Sequence, residues 1–194
     1  MVKRSMKKYE IIDKEAVWEG KYLRFLEITY GDSEGTVRKW ESVDRVNCDG
    51  VVAILPVTDS EEVVFVRQFR PAVSNYVIEF PAGLNDREEK LEDAARRELL
   101  EETGYEAGEL LFLARGPLSS GASAEVLTVY FARGLRFRGI EGRDETEDIE
   151  VLKIPIDEMF GQLSLLEAEG NFIDLKVFGL IELARRRGVL TEKG

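Results

Sequence analysis

The chain has 194 residues, 44% of them hydrophobic and 34% charged, a net charge of −11, one cysteine and no histidine. This length suits one domain with a substantial core, or one domain with a small appendage. The acidity disfavours binding to nucleic acid, Cys48 alone excludes an intrachain disulfide, and the lack of histidine excludes Ser-His-Asp and Cys-His catalysis and HExxH zinc sites.

Residues 1–15 are charged and read as frayed or as an edge segment. The start, MVKRSMKKYE, is basic with no apolar run behind it, so a secretory signal is not expected there and the expected location is cytoplasmic. Lys21–Tyr30 and Thr36–Arg45 alternate as strands around the loop Gly31–Gly35. Two strands alone are marginal in water, so this β unit should pack on another surface, such as a second copy of the chain. Val51–Val57 and Val63–Phe69 are apolar and β-branched, as central strands are, and Thr58–Glu62 is the turn between them. The first of these runs, the longest apolar one, is broken by Pro56 and is too short to span a bilayer. Tyr76–Phe80, Leu110–Leu113, Val126–Phe131 and Ile149–Ile154 are further strands, with loops at Pro117–Glu125 and Gly134–Glu147. Ile156–Leu166 and Phe172–Arg187 read as amphipathic helices, the second ending in a basic turn and Gly188. The class is α+β or α/β, a mixed sheet with helices packed on it.

The stretch Gly83–Tyr105 reads as a helix with a loop at each end. Asp86 is the expected N-cap, with Glu89 making a capping-box start, and Gly104 closes the helix in a left-handed conformation. At about 100° per residue, Glu98, Glu101 and Glu102 continue the apolar stripe of Leu91, Ala94 and Ala95. A merely solvated helix would carry its acids on the opposite face. Carboxylates this close repel one another, and a positive partner relieves them; hard divalent cations with oxygen ligands, above all Mg²⁺ or Mn²⁺, fit best. The bland alternative is an acidic solvent face.

Outside the helix, Arg67 and Arg70 close a strand and could reach a diphosphate as bidentate donors, or pair with Glu79 and surface acids. Trp40 is either a core residue or, beside Glu41 and Arg45, a stacking platform, with Tyr22 on the preceding strand supplying a second face. With no histidine, Walker-A or GxGxxG signature, a catalytic base must come from Glu, Asp, Lys, Tyr or metal-activated water.

The spacing Gly83, Glu89, Arg97-Glu98-Leu99, Glu101-Glu102, Gly104, Tyr105 resembles the Nudix box; Tyr105 stands where an aliphatic residue is more usual. By this resemblance Glu98, Glu101 and Glu102 are metal ligands, the carbonyl oxygen of Ala82 completes the shell, Glu101 belongs to the catalytic set, and Gly83, Glu89, Arg97 and Gly104 maintain the loop–helix–loop geometry. Trp40-Glu41-Ser42-Val43-Asp44-Arg45, Gln68-Phe69-Arg70-Pro71, Glu79-Phe80-Pro81-Ala82-Gly83-Leu84 and Glu147-Asp148-Ile149-Glu150-Val151 resemble the ADP-ribose (ADP-sugar) pyrophosphatases within that superfamily. The resemblance implies an α/β/α Nudix sandwich at 47–194 with an N-terminal β domain at 1–46, which serves dimerisation and adenine binding across a homodimer. It implies Mg²⁺ (or Mn²⁺), more than one ion per site, and cleavage of ADP-ribose to AMP and ribose 5-phosphate. Tyr22, Trp40, Glu41, Arg45, Arg70, Glu79 and Leu84 are the implied substrate-binding residues, and Glu147 or Glu145 orients or deprotonates the attacking water. The loop Ser119–Glu125 has a serine where many members have proline before glycine, which keeps GDP-mannose and other nucleotide sugars such as ADP-glucose as alternatives; a non-catalytic nucleotide sensor is a separate alternative, against which the intact Glu98, Glu101 and Glu102 argue.

Overall fold

The computed structural model describes residues 9–140 and 148–190. The chain divides into two units, residues 1–49 with 116–126, and residues 50–115 with 127–194.

In the first unit, β1 (Glu10–Glu19), β2 (Leu23–Gly31) and β3 (Val37–Arg45) form an antiparallel sheet in that order. The turn between β2 and β3 is held by Asp32, whose Oδ1 accepts the N–H groups of Glu34 and Thr36. The segment expected to be frayed or at an edge is, from Glu10 on, an edge strand in which every residue is exposed. The segment Pro117–Glu125 joins this unit: Val43 N–H donates to the Ala122 carbonyl at 2.8 Å and Ala124 N–H to the Val43 carbonyl at 3.0 Å.

In the second unit, β4 (Val51–Pro56), β5 (Glu62–Arg70), β6 (Asn75–Glu79) and β7 (Ala82–Leu84) precede α1 (Leu91–Thr103). Then come β8 (Tyr105–Glu106), β9 (Glu109–Pro117), β10 (Val126–Arg133), β11 (Arg136–Phe137), β12 (Ile149–Pro155), α2 (Met159–Ala168), β13 (Phe172–Ile173) and α3 (Lys176–Arg186). One sheet has the order β7-β4-β10-β9 and mixes parallel and antiparallel pairs; the other has the order β12-β5-β6-β13 and is also mixed. The fold is thus a mixed-sheet α+β arrangement, as expected. Val52, Ile54, Val63, Val64, Phe65 and Val66 are fully buried, which is why β4 and β5 read as continuous apolar runs. Ala94, Ala95 and Leu99 lay α1 against Val52, Ile54 and Ala132. Small residues at two of these positions let helix and sheet approach closely.

The structure corrects several expectations. α1 starts at Leu91 with Lys90 at the N-cap and no side-chain cap, so Asp86 does not cap it. Glu89 makes no capping box because its carboxylate is taken by Arg97, and a charge-assisted bond to a guanidinium is the stronger interaction. The C-terminal end is as expected: Gly104 has φ +75° and donates its N–H to the Leu100 carbonyl. The expected helix Phe172–Arg187 instead opens as β13, paired in parallel with β6. Asp174 N–H then donates to the Ile78 carbonyl, and only from Lys176 does the chain wind into α3. The expected helix at Ile156 begins later, at Met159. Within Gly134–Glu147, expected to be loop, Arg136 and Phe137 pair with β8. Among the described residues no helix is long and apolar enough to cross a membrane.

Candidate active site

Three consecutive residues of β7 meet α1. Ala82 N–H donates to Glu102 Oε2 at 3.0 Å, and Arg97 Nη2 donates to the Leu84 carbonyl at 3.0 Å. Between them, a Cβ added to Gly83 would stand 1.9 Å from the Glu98 carboxyl carbon. No side chain is tolerated there while Glu98 holds its position. The strand edge and helix face therefore form a cradle lined by carboxylates.

Arg97 is the hub of that cradle. Its Nη1 donates to Glu98 Oε1 at 2.7 Å and Glu101 Oε2 at 3.0 Å, while Nε and Nη2 reach Glu89 Oε1 at 2.9 and 2.7 Å. Burial would lower the pKa of this guanidinium, but Glu89, Glu98 and Glu101 outweigh it and hold the group firmly protonated. Burial pushes the Glu98 carboxyl above its ordinary range, and Arg97 pulls it back. Glu102 is buried, and its Oε2 faces the backbone of β7 rather than Arg97 Nη1. Among the described residues no three carboxylates, as placed, converge on one point fit for an ion. Glu98 and Glu101 each place one oxygen on the same cationic nitrogen, Arg97 Nη1. All-oxygen, multiply charged donors around a point that already accepts positive charge suit a hard divalent cation.

Sequence reasoning missed Arg87. Its Nη1 lies 3.4 Å from Glu101 Oε1, and its only signal in the sequence was a basic residue within an otherwise acidic loop.

On β5 and β6, Arg70 Nε donates to Glu79 Oε1 at 2.7 Å, so the pairing alternative holds for Arg70. Burial works against its charge, and Glu79, then Glu102 and Asp174, more than restore it. Side-chain exposure of 43% leaves the guanidinium open to a second anion. Arg67 is committed elsewhere: it bonds Asn171 and Glu150, and its guanidinium carbon lies 3.8 Å from the centre of the Tyr76 ring. Glu145 and Glu147 lie outside the described residues.

In the first unit, Trp40 is 50% exposed, which removes the core alternative for it within this unit; its indole N–H donates to the Gly121 carbonyl at 3.2 Å. Arg45 Nε donates to Glu125 Oε1 at 2.5 Å, a contact across 80 positions of sequence that left no local signal. Glu41 is exposed and stands opposite Glu27, whose charge Lys39 neutralises. Tyr22 is not on a strand but in the bend before β2, 66% exposed, with its carbonyl accepting the Val46 N–H. Trp40 pairs with Ile28. Tyr22 and Trp40 of one chain are thus separated along the sheet by six residue steps, from Trp40 to Val46, roughly 20 Å at strand rise. The two residues are therefore not neighbours along the sheet of one chain.

A family model described as NUDIX domain matches residues 49–175. Among curated relatives, the chain is 34% identical over 188 residues to the mouse (Mus musculus) ADP-sugar pyrophosphatase, covering 88% of this chain and 85% of the relative. It is 35% identical over 157 residues to the GDP-mannose pyrophosphatase of Escherichia coli O9:H4 (strain HS), covering 75% and 81%. A solved structure titled an ADP compounds hydrolase superposes with a TM-score of 0.70 at 26% identity, covering 83% of this chain and 85% of that one.

Proposed function

The chain belongs to the Nudix hydrolases, and from that premise we propose that it cleaves the diphosphate of ADP-ribose to AMP and ribose 5-phosphate with the help of divalent cations. The observation that carries the reading is the cradle of β7 and α1, where Glu98 and Glu101 share one cationic nitrogen and the lack of a side chain at Gly83 lets the Glu98 carboxylate lie against the strand. Glu98, Glu101, Glu102 and the Ala82 carbonyl would hold Mg²⁺ or Mn²⁺, more than one ion per site. Such ions neutralise a diphosphate and lower the pKa of water by several units.

The remaining roles fall to the chain's own groups. Arg70, oriented by Glu79, clamps the phosphates or the distal ribose, which supplies positioning at little entropic cost. Arg45, held by Glu125, presents a second guanidinium. Glu147, or its neighbour Glu145, takes the proton of the attacking water. Glu41 and Leu84 line the substrate path. Trp40 and Tyr22 stack on adenine, and since they lie far apart along the sheet of one chain, the sandwich takes one ring from each of two copies. A homodimer also answers the exposure of Ile11, Ile12, Val17 and Trp18 on an uncovered ten-residue edge strand. On this reading residues 1–46 are the dimerisation and adenine domain and 47–194 the hydrolase domain, acting in the cytoplasm on a free nucleotide sugar.

GDP-mannose is the second reading, favoured by the 35% identity to a GDP-mannose pyrophosphatase. Measuring kcat/KM for ADP-ribose, ADP-glucose, GDP-mannose, diadenosine polyphosphates and dNTPs with Mg²⁺ separates the readings. ADP-ribose should lead the series by at least about tenfold. A lead for GDP-mannose would transfer the assignment to it, and no turnover of any compound would favour a nucleotide-sensing role.

A further inference from the structure

We propose that Arg87 is a displaceable internal counter-ion of Glu101, holding one carboxylate oxygen until a divalent cation takes its place and so setting the cation affinity of the site. The inference rests on the proposal that Glu98 and Glu101 hold such a cation.

Both oxygens of Glu101 are engaged, each by a different arginine: Oε2 by Arg97 Nη1 at 3.0 Å, and Oε1 by Arg87 Nη1 at 3.4 Å. The two arginines are not equivalent. The Arg97 side chain is 15% exposed and is also bound to Glu89, Glu98 and the Leu84 carbonyl, so it cannot leave without abandoning all of them. The Arg87 side chain is 58% exposed, and its other carboxylate neighbour, Asp86, is at 4.0 Å. An exposed pair of this kind holds weakly, so Arg87 departs at little cost.

The loop around Arg87 is nevertheless fixed. Asn85 is buried, its backbone N–H donates to the Gly50 carbonyl at 2.9 Å, and its Nδ2 donates to the Glu89 carbonyl at 2.8 Å. Glu89 is tied to Arg97 through its carboxylate. Arg87 is therefore anchored through its backbone neighbours and free in its side chain. The guanidinium satisfies Glu101 when the cation is absent and can rotate to solvent when it arrives. With Arg87 in place an incoming dication meets a competing positive charge; without it, the carboxylates keep a larger surplus of negative charge.

The test is binding of Mn²⁺ alone to the full chain, with free Mn²⁺ followed by electron paramagnetic resonance and no substrate present. The proteins are wild type, Arg87→Gln, Arg87→Lys and Arg96→Gln. Arg96 lies on α1 and its guanidinium bonds Glu92 and the Ala107 carbonyl rather than Glu101, so its loss controls for net charge. Arg87→Gln should bind Mn²⁺ about three- to fivefold more tightly at low ionic strength, with the gain shrinking at high salt. Arg87→Lys should lie near wild type, and Arg96→Gln should match it. Equal or weaker binding by Arg87→Gln overturns the counter-ion role, as does an equal gain in Arg96→Gln. Absence of Mn²⁺ binding by the wild type overturns the cation site itself, and the counter-ion role with it.

Discussion

Glu98 carries the clearest electrostatic conflict in the cradle. Burial raises its carboxyl above the ordinary 4.5, and Arg97 only partly offsets this. A carboxyl whose pKa is raised by folding contributes stability that is fully present below its unfolded value and is lost as pH rises through the folded one. In cation-free protein at pH 7, the ionised Glu98 is therefore a cost. Glu98→Gln should melt above wild type at pH 7 in chelator, and the difference should fade as pH falls through the raised folded value and be gone below about 4.5. The same variant should lose turnover by far more than it loses substrate affinity, since it removes a group acting on charge that develops in the transition state. Melting curves across pH 4–8, with steady-state kinetics on the same preparation, check both. A wild type that melts higher than Glu98→Gln at pH 7 in chelator would refute the assigned conflict. The acidic stripe on the apolar side of α1 was legible because helical periodicity is a local property. That Arg97 spans Glu89, Glu98 and Glu101 was not, since a long side chain chooses among partners by geometry that the spacing leaves open.

At the scale of elements, the apolar runs that became β4 and β5 and the alternation of β2 and β3 were readable, because each is long enough for its period to repeat. β7, β8, β11 and β13 have two or three residues each and exist only through their partners, so nothing local announces them. The cost of missing β7 is functional, because it carries Ala82, Gly83 and Leu84 against α1. β3 decides a different question. It presents Trp40 half exposed, with the indole N–H on the Gly121 carbonyl. Stacking of a base on an aromatic is worth about 1–3 kcal/mol in nucleic-acid systems. The contact is much the same in ground and transition states, so Trp40→Ala should raise KM for ADP-ribose about ten- to a hundredfold and leave kcat nearly unchanged. A fall in kcat at unchanged KM would contradict the stacking role.

At the scale of the molecule, the sequence indicated a hydrolase body with an N-terminal β unit. The loop Pro117–Glu125 joins that unit through contacts of long sequence separation, which no local pattern encodes. The distance between Tyr22 and Trp40 makes the proposed dimer testable by complementation. When Tyr22→Ala and Trp40→Ala chains are unfolded and refolded together, half the molecules are mixed dimers, and each has one site with both rings intact. About a quarter of the sites should regain wild-type KM, a fraction that follows from the two-fold symmetry of the pairing. No recovery above the separate variants would mean that the rings do not share a site across two chains. The central claim is cation-dependent cleavage of ADP-ribose by the β7–α1 cradle. It is tested most directly by following the products from ADP-ribose by chromatography, with Mg²⁺ and with excess chelator, for wild type and Glu102→Gln. The account predicts AMP and ribose 5-phosphate in equal amounts from wild type with Mg²⁺, none with chelator, and a rate at least about a hundredfold lower for Glu102→Gln. Undiminished product formation in chelator, or by Glu102→Gln at saturating Mg²⁺, would contradict it.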